Sequence, residues 1–166
     1  MNHRLFGFVL AAFIFFADQI SKWFVLSVLK LEEVGQHDLL PFFQFTYTRN
    51  YGISGGFLTA NSDLVRWALV AMTTAIAVGV AWWLAKEKEK WDRFALGLVL
   101  GGALGNILDR ARLGYVVDFA DLHFGDFRPF LIFNVGDAAI SIGVAILLLR
   151  AFLVKKEEPK EIHEHA

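Results

Sequence analysis

The 166-residue chain contains no cysteine. Disulfides, thiolate nucleophiles and thiolate metal sites are thereby excluded, and the redox compartment stays undetermined. There is no basic excess either. A net charge of −1 leaves no electrostatic footprint for nucleic acid. Histidine is sparse and scattered: His3, His37, His123, His163 and His165. No pair has the spacing of a helical zinc site, and His123 reads as a lone surface histidine. Ser141 has no histidine or lysine placed to activate it, so a serine nucleophile is unsupported. The N-terminal apolar run lacks a small-x-small cleavage site followed by a polar region, and apolar sequence resumes at Trp23. It reads as a retained helix rather than a cleaved leader.

What the chain does have is apolar residues, 56% of the total, against roughly 45–50% in soluble domains. They fall into four runs, at about 5–29, 64–85, 94–111 and 135–154. The first is long enough, at roughly 37 Å, to span a bilayer with some tilt. The fold class expected is an all-α polytopic membrane protein with four transmembrane helices. Residues 1–155 form its domain, and the charged segment 156–166 forms a disordered tail. Gly97, Gly101 and Gly105 recur every four residues in the third run, a ridge that admits close helix packing. Lys86, Lys88, Lys90 and Arg93 crowd the 2–3 loop, and Arg150, Lys155, Lys156 and Lys160 the C-terminal end. Both termini and this loop are expected to be cytoplasmic, with the 1–2 and 3–4 loops outside. In the 1–2 loop, Phe43, Phe45 and Tyr47 alternate with Gln44, Thr46 and Thr48. That period of two predicts a small extracytoplasmic β element with its aromatic face toward lipid or the bundle.

The polar residues inside this apolar frame converge. Asp18 lies 13 residues into the first span, in its outer half, and Lys22 is one turn further out. Asn106, Asp109 and Arg110 close the third span, and Asp118 lies just beyond it. Asn134 and Asp137 open the fourth, and Asn50 sits in the outer loop. All reach one level, the outer membrane boundary. Carboxylates in lipid cost at least ~2.5 kcal/mol and normally mark function. Blander roles fit some of them. Asp18–Lys22 suits an i, i+4 ion pair, Asp109–Arg110 an interfacial pair, and Asn134 and Asp137 a helix cap. With thiol, serine and histidine chemistry set aside, two carboxylates remain. Two close aspartates share a proton, so that one activates water and the other polarises a peptide carbonyl. Asp118 and Asp137 suit this: different elements, one depth, apolar neighbours.

At these residues the chain resembles the lipoprotein signal peptidases, or signal peptidase II. The motifs, in order, are Asp18-Gln-Ile-Ser-Lys22, Asn50-Tyr-Gly52, Gly101 to Arg110, Val-Val-Asp118-Phe and Phe-Asn134-Val-Gly-Asp137. The resemblance implies an aspartyl endopeptidase of the bacterial inner membrane, with its active site at the outer face. It would need no metal or cofactor and would cleave diacylglyceryl prolipoproteins before the lipidated cysteine. Its partners would be that substrate, membrane lipid and globomycin-type inhibitors. It places catalysis on Asp118 and Asp137. Support and substrate binding fall on Asp18, Lys22, Asn50, Gly52, Asn106, Asp109, Arg110 and Asn134. Two departures stand out. Ile53, Ser54 and Gly55 follow the Asn-x-Gly motif, with phenylalanine delayed to Phe57, so the outer loop is expected to differ in shape. Gly136 replaces the usual alanine, and is expected to loosen the first turn by ~1 kcal/mol at most. A small ion- or proton-coupled transporter is the rival reading. It calls for midplane polar groups and repeated halves, and the sequence has neither. A non-enzymatic scaffold leaves the meeting of Asp118 and Asp137 unexplained.

Overall fold

The computed structural model describes residues 3–52, 63–125 and 127–153. The departures at 53–57 and the tail 156–166 lie outside the described residues. Helix α1 runs His3–Trp23 and continues as a π-helical stretch, Phe24–Val28. A short α2, Leu31–Val34, leads into β1, Gln36–Leu40, and β2, Phe43–Asn50. Then come α3, Asp63–Lys86, and α4, Lys90–Leu113. Strand β3, Val116–Leu122, precedes α5, Val135–Leu153. Among the described residues, four helical segments are long and apolar enough to cross a membrane: Leu5–Val28, Asp63–Lys86, Lys90–Leu113 and Val135–Leu153.

Helix α4 starts four residues earlier than the apolar run implies. The charged stretch before Phe94 reads as loop, yet its charges are satisfied in place, so the helix extends through them. Asp92 takes Arg150 of α5 at 2.5 Å, and Arg93 donates to the Lys88 carbonyl at 2.6 Å.

α4 is the mast of the bundle. More than half of its apolar window is buried, against less than a quarter in each other span. The glycine ridge faces α1: a Cβ on Gly97 would lie 2.7 Å from the Gly7 carbonyl, and one on Gly101 2.5 Å from that of Ala11. A second close seam joins α4 to α5. Gly102 backs onto the Gly136 carbonyl, and a Cβ on Gly143 would sit 2.6 Å from that of Ala95. With lipid outside, helices gain little from apolarity alone, and such close approach supplies the packing that holds them. The outer faces of α1, α3 and α5 carry exposed Phe13, Phe16, Trp67, Ile76, Ile142 and Leu149, as a bilayer solvent requires.

The β element is larger than the 1–2 loop alone implies. Strands β1, β2 and β3 form one antiparallel sheet in that order. Phe45 faces Ala120, and Thr48 faces Asp118, with a bulge between them. The third strand comes from the α4–α5 connection, which also lays Phe133 against Ala120. The aromatic face of β2 turns to the bundle: Phe43, Phe45 and Tyr47 pack around Val25, Leu31 and Phe119. The sheet therefore caps the end of the bundle where α1 finishes, α4 finishes and α5 begins.

Candidate active site

The structure brings all ten residues singled out in the sequence to this sheet end. The deepest group is ionic. Lys22 Nζ lies 2.7 Å from Asp18 and 2.8 Å from Asp109, with all three side chains buried. A lone buried charge is costly; Lys22 offsets one of the two carboxylate charges, and N–H donors from Gln19, Val117 and Gly136 serve the carboxylates as well. Each carboxylate also holds another element. Asp18 Oδ1 accepts the Gly136 backbone N–H at 2.9 Å and so caps α5 from α1. Asp109 Oδ2 accepts the Val117 N–H at 3.2 Å and ties β3 to α4. Gly136 thus sits in a tight place: an alanine Cβ there would lie 3.0 Å from the Gly102 carbonyl and 3.3 Å from Asp18. The departure to glycine accompanies close packing, where the sequence suggests only a loosened turn.

Above this triad lie Asp118 on β3 and Asp137 in the first turn of α5. Each accepts N–H donors from fixed asparagines. Asn50 Nδ2 donates to Asp118 Oδ2 at 3.0 Å, and Asn134 Nδ2 to Asp118 Oδ1 at 2.7 Å. Asn106 Nδ2 donates to Asp137 Oδ1 at 2.8 Å. In each amide the oxygen is clamped by a second donor, which aims the NH2 group at a carboxylate. Asn50 Oδ1 accepts Gly52 N–H at 2.8 Å, Asn134 Oδ1 accepts Asp137 N–H at 2.8 Å, and Asn106 Oδ1 accepts Lys22 Nζ at 3.1 Å. Lys22 thereby reaches the aspartates through Asn106. Gly52 holds its turn at φ 80, a conformation that glycine adopts without strain.

Asp118 is 2% exposed, while Asp137 is half-buried. Burial first, and the neighbouring Asp137 second, push the Asp118 carboxyl up to about 7, against the pull of the Asn50 and Asn134 donors. Near neutral pH the Asp118 carboxyl is therefore still partly protonated.

Asp118 lines a cavity of about 890 Å³ together with Asn50, Gly52, Arg110 and the 128–132 stretch. Asp109 and Arg110, adjacent in sequence, point apart: Asp109 to Lys22 and Arg110 to this cavity. Arg110 Nε is buried and has no hydrogen-bond partner among the described residues. Among those residues no group of three or more histidine, aspartate or glutamate side chains is arranged to hold a metal ion.

Some participants were not visible in the sequence. Gln19 donates to Asp109 at 3.1 Å and to the Gly105 carbonyl at 3.3 Å, locking α1 to α4 beside the triad. Its only signal was its place inside the Asp18–Lys22 motif. Arg66 of α3 caps the end of α4, donating to the carbonyls of Arg110 and Ala111 at 2.9 and 2.5 Å. Asp121, 1% exposed, joins Gln44, Thr46 and Arg128. Arg66 reaches the end of α4, and Asp121 reaches Gln44 and Thr46, through long-range packing.

The chain is similar to known proteins over nearly its whole length. A family described as "Signal peptidase (SPase) II" matches residues 10–153. A lipoprotein signal peptidase of Rhizorhabdus wittichii is 56% identical over 158 residues, covering 95% of this chain and 91% of that protein. One from Sphingopyxis alaskensis is 54% identical over 149 residues, covering 90% and 86%. A solved bacterial membrane enzyme superposes with a TM-score of 0.72 at 28% identity, covering 93% of this chain and 94% of that one. The match reaches from the first span to the last and takes in both aspartates and every asparagine around them, so the chain belongs to the signal peptidase II family.

Proposed function

We propose that the chain is an aspartic endopeptidase that removes the signal peptide from diacylglyceryl-modified prolipoproteins, cutting before the lipidated cysteine. The observation that carries this reading is the part played by Asn134. Its side chain donates to Asp118 at 2.7 Å while its backbone N–H donates to Asp137 Oδ2 at 3.2 Å, so one residue holds both carboxylates at one place. The raised Asp118 carboxyl supplies the proton and Asp137, more open to water, supplies the base.

Asp137 takes a proton from water as the oxygen attacks the scissile carbonyl carbon. Asp118 gives its proton to the carbonyl oxygen. As the C–N bond breaks, Asp137 passes its proton to the leaving amine of the lipidated cysteine. The carbonyl oxygen's proton returns to the pair, and the signal peptide leaves with a new carboxyl end. Arg110, whose Nε has no hydrogen-bond partner among the described residues and which lines the cavity, is suited to hold a substrate backbone carbonyl. Lys22, Asp18, Asp109 and Asn106 keep the pair in position, and Asn50 with Gly52 fixes the roof.

The site belongs, on this reading, at the outer face of the bacterial inner membrane, with both termini cytoplasmic. The cluster at Lys86, Lys88, Lys90 and Arg93, at the end of the bundle away from the sheet, supports that orientation. The diacylglyceryl chains would lie in lipid against the apolar flanks, residues 1–155 would act as one peptidase unit, and globomycin-type inhibitors would compete for the cavity. Purified protein and a diacylglyceryl prolipoprotein, mixed with a chelator, test the reading. Asp118→Asn and Asp137→Asn keep size and remove ionisation, and each should abolish cleavage without loss of the folded protein. Cleavage by either variant at near the unsubstituted rate would refute the assignment.

A further inference from the structure

The cavity beside the two aspartates is lined by three arginines, Arg49, Arg110 and Arg128, and Asp118 is the one acid among its described lining residues. Arg49 and Arg128 form its exposed rim, their side chains 46% and 51% accessible. Both are braced from behind. Arg49 pairs with Glu32, donates Nε to the Tyr47 hydroxyl at 3.2 Å and lies over the rings of Tyr47 and Tyr115 at 5.7 and 5.2 Å. Arg128 is held through Nε alone by Asp121, which Gln44 and Thr46 steady with bonds of 2.7 and 3.0 Å. Both terminal nitrogens of Arg128 are left without a hydrogen-bond partner among the described residues. The countercharges, Glu32 and Asp121, do not line the cavity. Asp121 is buried and Glu32 half-exposed, but neither lines the cavity that the guanidinium groups line, so the mouth presents positive charge although each pair is neutral.

What passes this mouth follows from the proposed activity, on which this inference rests. A signal peptide is apolar and stays in lipid. The mature part of the substrate leaves toward water, across the rim. We propose that Arg49 and Arg128 are specificity-determining residues that favour prolipoproteins carrying an acidic residue in the first positions after the lipidated cysteine. An arginine with free terminal N–H groups binds a carboxylate well, and a lysine there meets like charge instead. A bound phospholipid phosphate would use the same donors, but these arginines share one cavity with Asp118, where the substrate chain itself must lie.

Three diacylglyceryl prolipoprotein peptides, identical except for Asp, Ser or Lys as the second mature residue, test this in neutral phosphatidylcholine nanodiscs. The ratio of kcat/KM for Asp over Lys should be roughly tenfold at low salt, shrinking as salt screens the rim. Arg128→Gln and Arg49→Gln should each bring the ratio toward one, and Arg128→Lys should keep most of it. The ratio is internal to each preparation, so partial unfolding of a variant cancels. Equal cleavage of all three peptides by the unsubstituted chain, or a ratio untouched by both Gln variants, overturns the inference. If the Gln variants change rates only when anionic phosphatidylglycerol is added, the rim binds lipid phosphate and the peptide assignment falls. If the unsubstituted chain cleaves none of the three, the peptidase reading itself fails.

Discussion

Lys22→Met tests how the site is held together. The substitution keeps the length of the side chain and removes its charge. In the folded protein that charge lies 2.7 and 2.8 Å from two carboxylates, all but sealed from solvent. At an effective dielectric near 20, each attraction is worth roughly 6 kcal/mol before desolvation is subtracted. Desolvation removes much of this, but taking away one partner leaves the others buried and uncompensated, which costs about 3–5 kcal/mol. Asp18 and Asp109 then face each other without a cation between them, which disturbs the α5 cap at Gly136 and the anchor of β3 at Val117. Asn106 also loses the donor that orients it, although Asn134 still reaches its oxygen at 3.2 Å. A displacement of about 1 Å in a catalytic group can cost about 100-fold in rate. Two assays separate the effects: the denaturant midpoint in micelles, and kcat for a diacylglyceryl prolipoprotein in the fraction still folded. Lys22→Met together with Asp109→Asn should recover part of the stability but little of the rate. A Lys22→Met protein with an unchanged midpoint and an unchanged rate would refute the account of the triad.

Other contacts carry predictions of their own. Because burial and Asp137 raise the Asp118 carboxyl to about 7, cleavage should fall as pH rises through that value. The folded state there keeps a proton that the unfolded chain releases in the ordinary aspartate range, so this group's contribution to stability is lost over the same rise. Asn50→Ala removes a donor that favours the ionised form, so the alkaline limb should move to higher pH, and a limb that stays or moves down contradicts the assignment. Gly101→Ala would set a methyl 2.5 Å from the Ala11 carbonyl and 2.7 Å from Ile14 Cβ, forcing α1 off α4. A loss of about 1–3 kcal/mol in unfolding titrations is expected, and an unshifted titration would show that the seam has slack.

The spans and the meeting of polar groups at one end were legible because they depend on local quantities: apolar run length, charge position and depth along a helix. The alternation at Phe43–Tyr47 likewise revealed β2. Strand β3 was not legible. Val116–Phe119 follows α4 almost directly and reads as apolar sequence leaving a helix, and only pairing with a strand 68 residues earlier makes it extended. The N-terminal turn of α4 is hidden in the sequence because Lys90–Arg93 look like loop until Arg150 and the Lys88 carbonyl are in place. The roles of the asparagines were also out of reach. Composition places Asn50, Asn106 and Asn134 near the aspartates, but the carboxylate each amide donates to lies on another element.

The ion pair between Asp18 and Lys22 lies within one helix, four residues apart. This arrangement bears on how the protein is made. Spans enter the bilayer in chain order, and α1 precedes α4 by two. During that interval Asp109 and Asn106 are absent, and a lone charge in a span centre would cost about 2.5–3.5 kcal/mol. Asp18 and Lys22 neutralise each other meanwhile, so α1 carries its own counterion through insertion. The arrival of α4 then converts a travelling pair into the fixed triad, and the site is assembled only when the third span is home.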